Sequence, residues 1–377
     1  MFRKMVLLAL FVLMVGVFVP ATVEGSGPPP FGHVCPGPAG PDTARCYAIA
    51  RPLASAAPTG LSPDDIKRVA YNFPLSPTAG SGKTIAIVDA YNDPTAENDL
   101  NVFSTQYGLP ACTTANGCFK KVNQNGGSKY PRANAGWALE ISLDIQWAHA
   151  IAPGAKILLV EANSNRAADL RAAEDYAAAN AQYVSNSWGG SEFSGESTFD
   201  SHFGRPGVSF FVSSGDAGLP AEYPSSSPYV ISVGGTTLNF VNGTVTETGW
   251  SGSGGGCSKY ESANSAQSSF GQYAQANCAG KRATPDVSLD ADPNSGVSVY
   301  DSTSYLGQKG WFQVGGTSAS APMWAARAAV AGATVNAGYV YGNNITFRDI
   351  TVGNNGASCL TGFDLVTGRG SWIGVLP

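Results

Sequence analysis

The sequence predicts an α/β fold: a doubly wound, mostly parallel sheet with helices on both faces. Two observations carry this. Short apolar runs ending in Gly or Asp alternate with longer stretches of helical period along most of the chain. The 377 residues also hold 46 Gly and 24 Pro, a content that suits a loop-rich globular chain and not a helical bundle.

The elements follow in order. Arg3 and Lys4 precede an apolar run that ends at Pro20, the pattern of a secretory signal, with cleavage expected near Gly25. The run is short for a membrane span, which needs roughly 20 residues, and an uncleaved anchor is the alternative. Residues 26–60 are rich in Pro, Gly and Ala and read as a linker or a vestigial pro-segment. The domain is expected over 61–377. It opens on a helix capped by Ser62 with Pro63 in its first turn. A strand over 84–89 ends in Asp89, read as a structural carboxylate, and a helix over 95–107 follows. Residues 137–149 have helical period, with Leu139, Leu143, Trp147 and Ala150 toward the core. Strands over 155–161, 183–190, 208–218 and 230–235 and a helix over 167–179 continue the alternation. Residues 250–280 read as a Gly/Ser/Gln loop, and the chain beyond Val330 as loop-rich.

A net charge of -5 with 13% charged residues and no basic run excludes a nucleic-acid signature. No stable membrane association is expected, and a monomer is. Seven cysteines in a chain that looks exported point to disulfides. Cys112–Cys118 and Cys257–Cys278 bracket short loops, Cys35–Cys46 is a further candidate pair, and Cys359 is left over. No C-x-x-C pair exists, which argues against zinc.

Three stretches carry candidate chemistry. In Gly316-Thr317-Ser318-Ala319-Ser320-Ala321-Pro322 a tight turn opens a helix at Ser318. Free backbone N–H groups at a helix start can face an oxyanion, which suits a nucleophile. A plain small-residue helix start is the bland alternative. Glu140 and Asp144 stand one turn apart on one helix face, a like-charge pair that is either a solvated acidic face or a working pair. Asp216 follows Ser213-Ser214-Gly215 at a strand end, where ligands of such sheets bind. Ser187-Trp188-Gly189-Gly190 ends another strand, and its backbone is expected to pair with an extended peptide. The chain has only His33, His149 and His202, none in a H-G-T-H context. His149 reads as a helix C-terminal residue. Asp286, Asp290 and Asp292 receive no catalytic role.

Glu140-x-x-x-Asp144, Ser213-Ser214-Gly215-Asp216 and the Gly316–Pro322 motif, in this order, resemble the sedolisin (serine-carboxyl peptidase) family over about residues 61–370. The resemblance implies a subtilisin-like fold and a Ser-Glu-Asp triad. It makes Ser318 the nucleophile, Glu140 the general base, Asp144 its partner and Asp216 a protonated oxyanion donor. It implies a secreted peptidase acting on proteins or peptides, and its optimum is expected between roughly pH 3 and 5, where Glu140 is sufficiently ionised and Asp216 still neutral. A non-catalytic binding homologue and a subtilisin-type peptidase with His149 as base are the alternatives. The resemblance also implies one structural calcium ion. Its ligands would be the carboxylates of Asp349 and Asp364 and the carbonyls of Ile350, Leu360 and Gly362, with Leu360 where the family usually has Gly. Two plain turn aspartates are the alternative. The family usually has a long N-terminal pro-domain, whereas about 35 residues (26–60) stand before the expected domain here.

Overall fold

The computed structural model describes residues 29–374 apart from 36, 38, 41 and 343. The predicted signal segment lies outside the described residues. One sheet dominates. Its strands run Phe347–Arg348, Ser371–Trp372, Val287–Asp290, Ile231–Val241, Ser209–Ser213, Tyr183–Asn186, Thr84–Ala90, Lys156–Ala162 and Phe119–Asn123 across the molecule, with Thr244–Gly249 as a hairpin partner of Ile231–Val241. The seven central pairings are parallel, and the two antiparallel ones lie at Phe347–Arg348 and in that hairpin. Central strands such as Thr84–Ala90 read as unbroken apolar runs because helices cover both faces.

Two helices matter most for the site. Ala135–Ile151 is capped by Asn134, whose side chain accepts from Trp137 N–H at 3.1 Å. Every residue from Trp137 to Ile151 is buried, because the helix packs between the sheet, the helix Thr317–Ala331 and the strand Val297–Tyr305. Trp147 donates from its indole to Ser298 O at 3.0 Å, which satisfies its one donor inside the core. The second helix, Thr317–Ala331, is likewise buried, with Trp324 set between Phe211 and Trp372.

The other expected helices form at Ala96–Gln106 and Ala167–Asn180. The predicted cap at Ser62 is present: its Oγ accepts from Asp65 N–H, and Asp65 accepts in return from Ser62 N–H at 2.8 Å. The helix it opens is a single wide turn, Asp65–Ala70. All three expected disulfides are formed, and Cys359 is buried and unpaired.

Two stretches differ from their compositional reading. Residues 250–280 are not simply a loop, since Gly256–Ser262 pairs with Lys281–Thr284 beside the Cys257–Cys278 bridge. Residues 26–60, read as a linker or a vestigial pro-segment, hold paired strands within the described residues 32–50. Gly32–His33, Arg45–Cys46 and Ile49–Ala50 are strands paired with one another or with Trp188–Ser191 and Gln308–Gly315. Pro- and Gly-rich composition reports a lack of local periodicity. It says nothing of backbone groups that find partners far away in sequence.

Candidate active site

Ser318 is the second residue of the helix Thr317–Ala331 and is fully buried. Gly316 enters that helix with φ +88°, a conformation an L side chain resists. Asp216, just beyond the strand Ser209–Ser213, reaches the same helix start. Its Oδ1 accepts from Thr317 N–H at 2.8 Å and from Thr317 Oγ1 at 2.9 Å. Its Oδ2 is buried and has no partner. Burial pushes the Asp216 carboxyl up to about 7, against the pull of the Thr317 donors and Arg45. A proton on Oδ2 would make Asp216 a donor at the helix N-terminus.

Glu140 and Asp144 lie together on the helix Ala135–Ile151, both with no solvent exposure. Burial, then the charge of Asp144, raises Glu140 well above an ordinary carboxyl. The Ser318 hydroxyl beside it and the Ala48 N–H, 2.8 Å from Oε2, act the other way. Burial and then Asp89 raise Asp144, with the Ser187 hydroxyl opposing. Burial also raises Asp89, helped by Glu140 and Glu161. Glu140 Oε1 and both oxygens of Asp89 and Asp144 lack other donors, as expected of carboxyls that share protons. The solvated-face alternative for Glu140 and Asp144 is thereby excluded. Asp89, read as structural, belongs to this carboxylate chain. Its strand-end position was the one available signal.

Ser187 O accepts from Tyr47 N–H at 3.2 Å and lies 3.4 Å from Ser318 Oγ. The strand Trp188–Ser191 runs along the cleft, its indole donating to Val88 O at 2.9 Å. On one edge it pairs with Glu222–Tyr223, and on the other with the chain's own Arg45–Cys46. Beside it opens a cavity of about 450 Å³, with Trp188, Phe193, Phe199, Phe203 and Tyr223 in its wall. The Tyr47 hydroxyl donates to Glu222 Oε2 inside the protein. Neither Tyr47 nor Glu222 carries a motif that sequence reasoning could have used.

The histidines lie elsewhere or bind elsewhere. His149 is buried with Nε2 2.8 Å from Pro110 O, and His202 meets Asp175. His33 Nδ1 stands 3.8 Å from Asp216 Oδ2, and burial, then Arg45, lowers its pKa to about 4. Among the described residues no histidine bonds to Ser318 or Glu140.

Asp349 and Asp364 meet one turn. Both Asp349 oxygens lie 3.0 Å from Gly362 N. Asp364 accepts from the N–H groups of Leu360, Val366 and Thr367 at 2.7–3.0 Å. Ile350 is buried beside them, and Gly362 takes φ +91°. Leu360 sits outside the left-handed region with its side chain 41% exposed, so this position has no need of Gly.

Comparison with known proteins places this geometry. Residues 119–354 match the subtilase family, peptidase S8. The chain is 31% identical to kumamolisin of Bacillus sp. (strain MN-32) over 85% of its length and 63% of that protein's. It is 29% identical to xanthomonalisin of Xanthomonas sp. (strain T-22), over 73% of this chain and 41% of that protein. It thus spans less than two thirds of these relatives. Among solved structures, Pseudomonas sedolisin, a serine-carboxyl proteinase complexed with pseudo-iodotyrostatin, superposes with a TM-score of 0.69 at 28% identity, over 84% of this chain and 96% of that one. Sphericase shares the fold, with a TM-score of 0.53 at 21% identity over 85% of this chain and 98% of that one. The chain belongs to the subtilase family. Within that family its similarity runs to the sedolisin branch, with a subtilisin-like fold.

Proposed function

We propose that the chain is a secreted serine-carboxyl endopeptidase acting in acid. The observation that carries this is a buried Glu140 beside Ser318, with no histidine among the described residues bonded to either. Ser318 Oγ attacks the scissile carbonyl and passes its proton to Glu140, which returns it to the leaving amine. Asp144 holds Glu140 through a shared proton. Asp216, protonated, donates to the oxyanion next to the Ser318 N–H. Water then hydrolyses the ester by the same route. Substrate backbone pairs with Ser187, Trp188, Gly189 and Gly190. The subtilisin-type alternative with His149 as base loses support because that ring is bonded to Pro110 O.

The signs of the pH dependence follow. Asp216 must stay neutral, so activity falls as pH rises through about 7. Glu140 must be ionised, so activity also falls as pH drops through its pKa. Burial raises Glu140, which moves the acid limb upward from where an ordinary glutamate would set it. Water entering an emptied cleft reduces that shift.

We also assign one structural calcium ion to the carboxylates of Asp349 and Asp364 and the carbonyls of Ile350, Leu360 and Gly362. The donor set is all oxygen and fits a hard cation. Bound there, the ion would tie the turn around Gly362 to residues 349–350. Export is supported by the signal pattern and the three disulfides. Among the described residues no helix is long and apolar enough to cross a membrane.

The test is digestion of an unfolded protein across pH. Wild type should cut it in acid and Ser318→Ala should not. Equal digestion by both would end this reading.

A further inference from the structure

The loop that follows Asp89 leads to a second group of carboxylates. Asp93 and Asp99 stand either side of the start of the helix Ala96–Gln106, and Asp301 reaches them from the strand Val297–Tyr305. All three have no solvent exposure. One oxygen from each lies within 4.8 Å of one from each of the others. That is the span across a single calcium ion, whose oxygen ligands stand about 2.3–2.6 Å from it.

The protons at hand do not cover these oxygens. Thr95 Oγ1 has one proton, yet it lies 3.0 Å from Asp93 Oδ1, 2.7 Å from Asp99 Oδ2 and 2.9 Å from Thr303 Oγ1. Thr303 Oγ1 brings one more, 3.2 Å from Asp93 Oδ1. Two protons cannot satisfy all of these contacts, so lone pairs meet in the remainder. Asp301 shows the deficit most plainly. Its Oδ1 accepts from Thr303 N–H at 2.7 Å, but its Oδ2 is buried with no partner. Among the described residues none of the three carboxylates is in an ion pair. The ammonium of Lys121 is spent on Asp93 O, Asn92 Oδ1 and Glu161. A buried carboxylate oxygen with neither donor nor cation is costly, and a hard cation held by oxygens removes that cost.

We propose that Asp93, Asp99 and Asp301, with the hydroxyls of Thr95 and Thr303, hold a second calcium ion, apart from the one assigned to Asp349 and Asp364. Calcium takes about six to eight oxygens, so these side chains leave room for water in its shell. Magnesium fits less well, because it keeps several of its own waters and binds few protein groups. The placement gives the ion a role. Asp93 stands just past the strand Thr84–Ala90, which carries Asp89. Asp93 Oδ2 also lies 3.3 Å from Ser142 Oγ, on the helix of Glu140 and Asp144. The strand Val297–Tyr305 pairs with Gln308–Gly315, which runs into Ser318. The ion therefore ties together the segments that carry Asp89, Glu140 and Ser318.

The test is equilibrium dialysis of the full chain against calcium alone. It is run at about pH 8, because protons compete for the same oxygens. Asp301→Asn should bind one ion fewer than wild type, and Asp364→Asn should still bind one. An Asp301→Asn chain that binds as many ions as wild type, or an Asp364→Asn chain that binds none, overturns the site. Melting curves separate an ion ligand from a structural carboxylate. In chelator Asp301→Asn should melt at or above wild type, since the amide removes a like charge and adds a donor. In calcium it should melt below wild type. An equal drop in both conditions overturns the proposal. If Asp301→Asn does not fold, the stoichiometry of Asp364→Asn decides: one ion supports the site and none refutes it.

Discussion

At Ser318 the titratable group beside the hydroxyl is Glu140, which interacts with Asp144 and through it with Asp89; the hydroxyl also lies 3.4 Å from Ser187 O. Glu140→Gln keeps the shape and removes the base, so kcat should fall by about 10²–10⁴-fold, the worth of a general base. His149→Gln should leave kcat within about twofold, since the ring serves only Pro110 O. The reverse pattern would restore a histidine mechanism. On the proposed mechanism Asp216 limits the alkaline side. It is neutral below about 7 and ionises above that, placing charge against the oxyanion. Asp216→Asn keeps a donor that cannot ionise, so its pH profile should lose the limb near 7 while activity falls at the optimum. An unchanged alkaline limb in the variant would assign that limb to another group.

The cleft strand and a buried ion pair set the demands on elements. A Cβ on Gly189 would stand 2.5 Å from the Tyr47 hydroxyl and 2.9 Å from Tyr223 O, a backbone atom of the strand Glu222–Tyr223 that pairs with this one. Gly189→Val must push that backbone aside or tilt the cleft strand, so KM for peptides should rise about 10-fold or more, with kcat affected less. A KM equal to wild type would remove the strand from the cleft. Lys281–Thr284 carries Arg282, fully buried, whose Nη1 donates to Asp286 Oδ1 at 2.8 Å. Asp286 also accepts from Ser232 N–H at 2.7 Å, which ties the pair to the central strand Ile231–Val241. Arg282→Ala leaves a buried carboxylate without its cation and should cost about 3–5 kcal/mol. Denaturant unfolding would measure it, and a loss under about 1 kcal/mol would mean that the ion pair adds little to stability.

Over the whole molecule, distant segments converge on the site. The N-terminal strands, the helix Ala135–Ile151 and the helix Thr317–Ala331 all meet there. The turn around Gly362 closes the chain's other end through Asp349 and Asp364. A calcium ion bound only by the folded state adds stability in proportion to the logarithm of its excess over Kd, about 2.7 kcal/mol at 100-fold. A chelator should therefore lower Tm at neutral pH, and added calcium should restore it. Identical melting curves would leave Asp349 and Asp364 as turn residues.

The α/β alternation, the main helices, the Cys112–Cys118 and Cys257–Cys278 bridges and the order of Glu140, Asp144, Asp216 and Ser318 were legible in the sequence, with Cys35–Cys46 only a candidate. Those features are local: period, caps and short spacings report on neighbouring residues. Three things were not legible. Glu140 is buried and protonates far more readily than its residue type implies, because desolvation is set by what packs around it. Asp89 joins the pair because parallel strand order brings Thr84–Ala90 beside Tyr183–Asn186, under the helix that carries Glu140. Residues 45–50 pass through the cleft because their backbone pairs with strands more than a hundred residues away, and hydrogen bonds of that reach leave no mark on the composition of the segment that makes them.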